Sequence, residues 1–307
     1  MLTSSVVALA LLLPSIPDRE IRDGVPKTPE LSVSYENLSA TRYNPLGLVD
    51  FFYVTGRVRL HDSDSLILRQ NYIGAGIAGG LSPAWMRIGG IVEVKPLTIW
   101  RLWARYVFVQ YFGTFDLLAS FPDAESDFSD TAIQDRSDIP ETENQGASGT
   151  ELTLGSDFQL KAGPIALRNF TRGYRADMDL RDGDTTFYDQ IYDVLMPDEG
   201  WVITNETDLL YLTGSGWIIG GRYTFSKPFY QDRHRRDDDG PSNVIHRAGP
   251  LVAYQFSNDP VGRFQTPTLL LLTQWHFEHR FRTGEDVSQA IPYVGLGFLF
   301  RGDLFTQ

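Results

Sequence analysis

Between Thr273 and Arg282 the chain alternates. Trp275, Phe277 and Phe281 fall on one parity, and Gln274, His276, Glu278, Arg280 and Arg282 on the other. Period two of this kind describes a strand with one apolar and one polar face. The pattern recurs along the chain, with turn residues between the copies. It predicts strands at 31–42, 51–61, 66–78, 85–94, 98–113, 150–161, 165–179, 202–212, 217–226, 245–256, 268–282 and 291–305. The segment at 66–78 is Gly-rich and less regular, and the facing of the polar segment at 165–179 cannot be assigned. No amphipathic helical pattern is available to cover the apolar faces. A closed sheet with lipid outside and a polar lumen inside satisfies every strand at once.

The connections support this reading. Short ones at 61–65, 95–98, 162–164, 214–216 and 258–265 fall on one side, and long ones at 114–149, 180–201 and 227–243 on the other. Treating 185–200 as a loop gives an even count of twelve strands, as bacterial barrels require. The expected fold is all-β, a closed antiparallel transmembrane β-barrel of about twelve strands over 31–305. Its place is a bacterial outer membrane, reached through the periplasm. Residues 1–17 read as an export signal, because Val6 to Leu13 is apolar, too short to span a bilayer, and soon followed by Pro14 and Pro17. Residues 18–30 read as a periplasmic segment.

Composition narrows the picture. A mean hydropathy of -0.20 excludes a helical membrane bundle, and no internal run approaches the roughly 20 apolar residues a membrane helix needs. Cysteine is absent, compatible with an oxidising compartment. The net charge of -12 is segregated. Acids crowd the 114–150 segment (Asp116, Asp123, Glu125, Asp127, Asp130, Asp135, Asp138, Glu141, Glu143) around one base, Arg136, while the strands hold most of the Arg. An acidic chain without a basic surface patch argues against nucleic-acid binding.

The candidate site is the inward parity. It collects Arg57, Arg59, Arg87, Arg101, Arg105, Arg222, Arg247, Arg280 and Arg282, with His276 and Glu278 in the same network. Acids there are fewer: Glu93, Glu151, Asp157, Glu206 and Asp208 besides Glu278. Arginine keeps its charge and offers a fixed fork to carboxylates, sulfates and phosphates, so an Arg-lined lumen favours small anionic solutes. No cofactor is expected. The partners expected are membrane lipid and lipopolysaccharide, small anionic solutes, and divalent cations at the acidic loops and the Asp237–Asp239 run.

Two resemblances bear on this. Tyr293, Gly295, Phe298, Phe300 and Phe305 resemble the carboxy-terminal assembly signal of outer-membrane proteins, although the chain continues to Thr306 and Gln307. The overall design is similar to the porin-like twelve-stranded channels for acidic oligosaccharides, which implies a solute channel.

The alternatives are a non-conducting structural or partner-binding barrel, and an outer-membrane hydrolase. Asp62-x-Asp64 and Asp232-x-His234 copy spacings of outer-membrane proteases, but the expected topology puts them at opposite rims, where they cannot share one water. Outer-membrane acyl hydrolases pair a His with a nearby Ser on the lipid-facing wall. His279 lies on the outward parity near the outer rim, yet Ser288 is its nearest downstream Ser. The expected place of His279 is therefore the lipid headgroup level.

Overall fold

A computed structural model describes residues 21–22, 24–143, 145–237, 239–283 and 291–307. The export signal expected at 1–17 lies outside them. Twelve strands close into one antiparallel barrel: β1 (Leu31–Tyr43), β2 (Gly47–Val58), β3 (Tyr72–Leu81), β4 (Trp85–Leu97), β5 (Trp100–Phe112), β6 (Gly146–Ala162), β7 (Ile165–Met178), β8 (Trp201–Leu212), β9 (Trp217–Phe229), β10 (Ile245–Gln255), β11 (Gln265–Glu278) and β12 (Tyr293–Thr306). Each pairs with its sequence neighbours, and β12 pairs with β1 to seal the ring. Closure matters because an open edge would leave backbone N–H and C=O groups unpaired in hydrocarbon. The strands run from 10 to 17 residues, enough to cross a membrane when tilted.

The outer wall is apolar. Ile73, Ile77, Ile88, Val92, Leu154, Leu167, Ile203, Leu209, Leu269 and Leu271 all project outward and are exposed. Aromatic side chains mark both rims: Trp100, Tyr211, Trp217, Phe256 and Phe305 at the end carrying β1's first residue, Tyr43, Phe112, Trp201, Phe229 and Phe277 at the other. Aromatic rings suit the lipid–water boundary, and the Trp and Tyr among them add a polar tip that can face water.

The two ends differ. Short links at 98–99, 163–164 and 213–216, the longer ones at 59–71 and 256–264, and the described start of the barrel share the end that outer-membrane barrels keep in the periplasm. The 113–145, 179–200 and 230–244 connections lie at the other end, here called outer. Two of these fold into the bore. The 179–200 loop forms a hairpin, Thr186–Asp189 against Val194–Pro197, and Ser120–Phe121 of the 113–145 loop adds a third strand. The short helix α1 (Asp130–Ser137) packs Ile133 into the same mass, its first turn held by Ser129, whose Oγ accepts the Ala132 N–H at 3.2 Å.

This plug has an apolar core shared with the barrel. Leu118, Phe121, Phe128, Phe187, Val194, Leu195 and Met196 meet the inward residues Trp85, Val107, Val109, Tyr111, Tyr174, Met178, Val202 and Ile245. Fully burying a side chain of this size contributes about 1.5–3 kcal/mol, so the plug is a built part of the fold.

Several expected boundaries move. β2 begins at Gly47 and ends at Val58, and β3 starts only at Tyr72, because 66–69 forms a turn whose Ile67 and Leu66 carbonyls bind Thr98. β11 stops at Glu278, so residues 279–282 belong to the outer loop. The 185–200 segment holds strands, but they lie inside the ring and leave the count at twelve.

A charge on the lipid face tests the wall. Leu271→Arg, near the middle of β11, is expected to destabilise the barrel by about 2–4 kcal/mol in equilibrium unfolding from lipid vesicles, as expected for a cation at the bilayer midplane. A change close to zero would mean that this face does not meet lipid.

Candidate functional site

Beneath the plug the barrel encloses a cavity of about 530 Å³. Its roof is the turn of the plug hairpin, where Gln190, Ile191 and Tyr192 face down and the Tyr192 ring stacks on Tyr174 at 3.9 Å. Arg42 of β1 holds this turn by donating to the carbonyls of Gln190 and Ile191, the latter at 2.8 Å.

Much of the wall is a ladder of ions. Arg57 pairs with Glu93 at 2.7 Å and Glu36 at 3.2 Å. Arg101 bridges Asp157 at 2.7 Å and Glu93 at 3.2 Å, and Arg105 reaches Glu151 at 2.6 Å. On β7–β9, Arg168 pairs with Asp208 at 2.7 Å and Arg172 with Glu206 at 3.0 Å. Arg222 takes both carboxylates, at 2.6 Å and 3.0 Å. These charges are wet: the side chains of Arg101, Arg168 and Arg172 keep 25 %, 32 % and 26 % of their surface open. Small inward residues make room. A Cβ on Gly155 would sit 2.0 Å from the Trp103 ring, which lies over that glycine and donates to Asp157 at 3.1 Å.

The pairing is incomplete in one direction. The cavity lining holds eight guanidiniums (Arg42, Arg57, Arg101, Arg105, Arg168, Arg172, Arg222, Arg247) against four carboxylates (Glu36, Glu93, Asp157, Glu206). Glu151 and Asp208, buried behind the wall, offset part of the excess. The remaining arc is apolar, built from Leu38, Ala40, Ile218, Leu251, Ala253, Leu270 and Leu272.

Of the residues singled out by parity, Arg57, Arg101, Arg105, Arg222 and Arg247 line this cavity. The others lie elsewhere. Arg59 sits at the periplasmic rim and donates to the Thr28 carbonyl at 3.1 Å. Arg87 is buried against the plug, 3.1 Å from Asp189 and 3.3 Å from Glu151. Arg280 leaves the lumen altogether and binds the carbonyls of Ala124, Glu125 and Ser126 in an outer loop. Glu278 is exposed at the end of β11. His276 belongs with the plug, 3.8 Å from Asp193, and not with Arg280 and Glu278. His279 is not at headgroup level: the turn after Glu278 rotates it inward, where it is 3 % exposed and 3.6 Å from Asp193.

These displaced residues form a latch around Asp193, at the tip of the plug hairpin. Arg282 donates to both its oxygens, at 2.8 and 3.1 Å, and Tyr188 donates to one at 2.8 Å. Arg282 also reaches Asp130 and the side chain of Asn44, tying hairpin, helix loop and barrel together. Burial alone would raise the Asp193 carboxyl, but the Arg282 guanidinium and His279 outweigh it and hold it well below the ordinary carboxylate range.

The protease-like pairs do not meet. Asp62 and Asp64 hold Lys27 at the periplasmic end, at 2.5 and 3.1 Å. His234 lies at the outer end, accepting the Gln231 N–H at Nδ1 and facing the Asp198 carbonyl through Nε2 at 2.7 Å. Asp238 lies outside the described residues, and among those described no three His, Asp or Glu side chains converge as a metal-ligand group.

The inward set named from the sequence left out Glu36, Arg42, Arg168 and Arg172, which line the cavity. The last two share one face with Phe170 and Tyr174, a run of alternation that the intervening Asn169, Thr171 and Arg175 obscure.

Taken together, these features define a closed twelve-stranded transmembrane barrel of the bacterial outer-membrane type, with a polar lumen capped by its own loops. No protein-family model and no curated protein matches the chain. Among solved structures it is similar to OccAB1 of Acinetobacter baumannii, with 7 % identity over 90 % of this chain and 96 % of that one and a TM-score of 0.39. The translocator domain of the autotransporter NalP from Neisseria meningitidis gives 9 %, 90 %, 89 % and 0.38. The NanC porin gives 8 %, 88 %, 98 % and 0.35. Likenesses this loose carry no argument about cargo.

The Asp193 pair sets a pH expectation. Because the folded-state value is depressed, its contribution is full above about pH 4, the ordinary Asp range, and is lost only as pH falls through the depressed value. Hydrogen exchange of the Val194, Leu195 and Met196 amides in wild type is therefore expected to stay slow through mild acid. Asp193→Asn removes the buried anion of Arg282 and leaves it only the exposed Asp130, a loss of up to about 3 kcal/mol, and is expected to expose these amides at pH 7. Equal protection in both proteins would remove the latch from the description.

Proposed function

We propose that this protein is an outer-membrane channel for small anionic solutes, shut at its outer mouth by the loops folded into the bore. One observation supports the reading above the rest: a wetted cavity lies under the plug, and guanidiniums outnumber carboxylates on its wall. In a narrow bore with low-dielectric walls even a modest excess of fixed positive charge raises the local concentration of anions. The paired carboxylates keep the Arg side chains in place and soften the field, so that a solute can leave as well as enter. The acidic outer loops would meet the lipopolysaccharide layer through divalent cations, which favour carboxylate oxygens. No covalent chemistry is part of this reading.

A second reading, a non-conducting barrel, has its own support in the apolar packing between plug and wall. Planar-bilayer recording separates the two. Wild type is expected to conduct weakly or in brief openings, and Asp193→Asn to conduct steadily, with a reversal potential in a salt gradient that favours chloride. Silence from both well-folded proteins would sink the channel. Replacing Arg101 and Arg105 together by Gln removes two positive charges, leaves Asp157 without its guanidinium and leaves Glu93 and Glu151 with one each, Arg57 and Arg87, so selectivity is expected to move toward cations. Unchanged selectivity would remove these two residues from the pore.

A further inference from the structure

Arg247 does not share the fate of the other lumenal arginines. It sits on β10, between the apolar arc and β9, the ladder strand that carries Arg222, and enters none of the ladder's ion pairs. Only 7 % of it is exposed, and its Nε and Nη1 are buried without a hydrogen-bond partner. Leaving a buried cationic donor unmatched is costly, and the compensation in place is partial. The guanidinium lies over the Tyr293 ring at 4.1 Å, which stabilises its face while leaving N–H groups at its edge unused. A second buried polar atom without a partner, Thr204 Oγ1, lines the same cavity two strands away.

Thr224 and His276 flank Arg247 in register, and the surface beyond the Tyr293 ring is apolar. Leu251, four residues along the same face of β10, pairs in register with Leu272 of β11, and Tyr293 packs against the cluster that holds them. Gly295 of β12, opposite Leu272, adds no side chain to the space. A free cationic donor therefore stands at one end of a greasy floor, inside a cavity of about 530 Å³, within the range of small-molecule sites. Inorganic anions would satisfy the donor and waste the floor. Neutral apolar molecules would do the reverse.

We propose that Arg247, Tyr293, Leu251 and Leu272 form a binding subsite for small amphiphilic monoanions, carboxylates with an aliphatic or aromatic body. The carboxylate accepts from Arg247, and the body lies on the leucines and the tyrosine ring. This rests on the channel reading only for its biological role; the binding itself does not.

The test uses the full folded barrel in nanodiscs of zwitterionic lipid, with radiolabelled hexanoate in equilibrium dialysis. Saturable binding is expected. Acetate, which lacks the body, and hexanol, which lacks the charge, are each expected to compete at least about tenfold more weakly, the loss of a charged hydrogen bond or of a comparable apolar contact. Arg247→Met is expected to weaken hexanoate by about tenfold or more, with Arg247→Lys between the two. Folding is checked by heat-modifiable gel mobility. Should Arg247→Met fail to fold, the competition series in wild type decides alone. Undiminished binding by a folded Arg247→Met, acetate competing as well as hexanoate, or no saturable binding to wild type would each overturn the subsite. Absent binding alongside chloride-selective conductance overturns the subsite and spares the channel. Binding without conductance does the opposite.

Discussion

Every peptide group that enters hydrocarbon needs a hydrogen-bond partner, because no water is there to supply one. In a chain with no helix long and apolar enough to cross a membrane among its described residues, that requirement falls on strand pairing. It is met when β12 returns to β1, with Val294 opposite Tyr43 at one end and Thr306 opposite Ser32 at the other. Closure then dictates the rest. Alternate side chains must face lipid, the others must face one another across the bore, and whatever polar groups the inward set contains must be matched there.

The lumen resolves this matching in two ways. Along β1–β9 the charges neutralise one another across neighbouring strands, as Arg222 does with Glu206 and Asp208. Ion pairs of this kind are poor stabilisers when fully dehydrated. Here Arg101, Arg168 and Arg172 keep part of their surface open to the cavity, so these pairs are not fully dehydrated. At the outer end much of the wall turns apolar and the loops fill it, so that the bore is packed at the plug and open as a cavity below it. The plug is consequently held by two kinds of contact, apolar packing over its body and a buried ionic knot at Asp193 near its tip.

The barrel was legible because period-two alternation is a local property. Strands such as β6, where Leu152, Leu154 and Leu160 oppose Glu151, Thr153 and Asp157, show both faces in one short window. The sorting of short and long connections supplied the even count. Legibility failed where alternation lapsed. The Leu269–Leu272 run looks alike on both parities, so the apolar arc inside the lumen left no signal, and the polar run on β7 hid Arg168 and Arg172. It failed again past strand ends: continuing the parity of β11 beyond Glu278 put Arg280 and His279 on the wrong walls, since a turn cancels the two-residue repeat.

Fold class, strand number and the inward direction of most of the arginines were thus set by the sequence alone, because lipid on one side and water on the other impose a repeat that each strand carries in itself. Which arginines are neutralised, that Arg247 stays outside the ladder's ion pairs, and that two outer loops close the mouth were decided only by the tertiary structure. Those outcomes depend on groups far apart in the chain, Arg87 with Asp189 and Arg282 with Asp193 among them, meeting across a bore whose width no local pattern records.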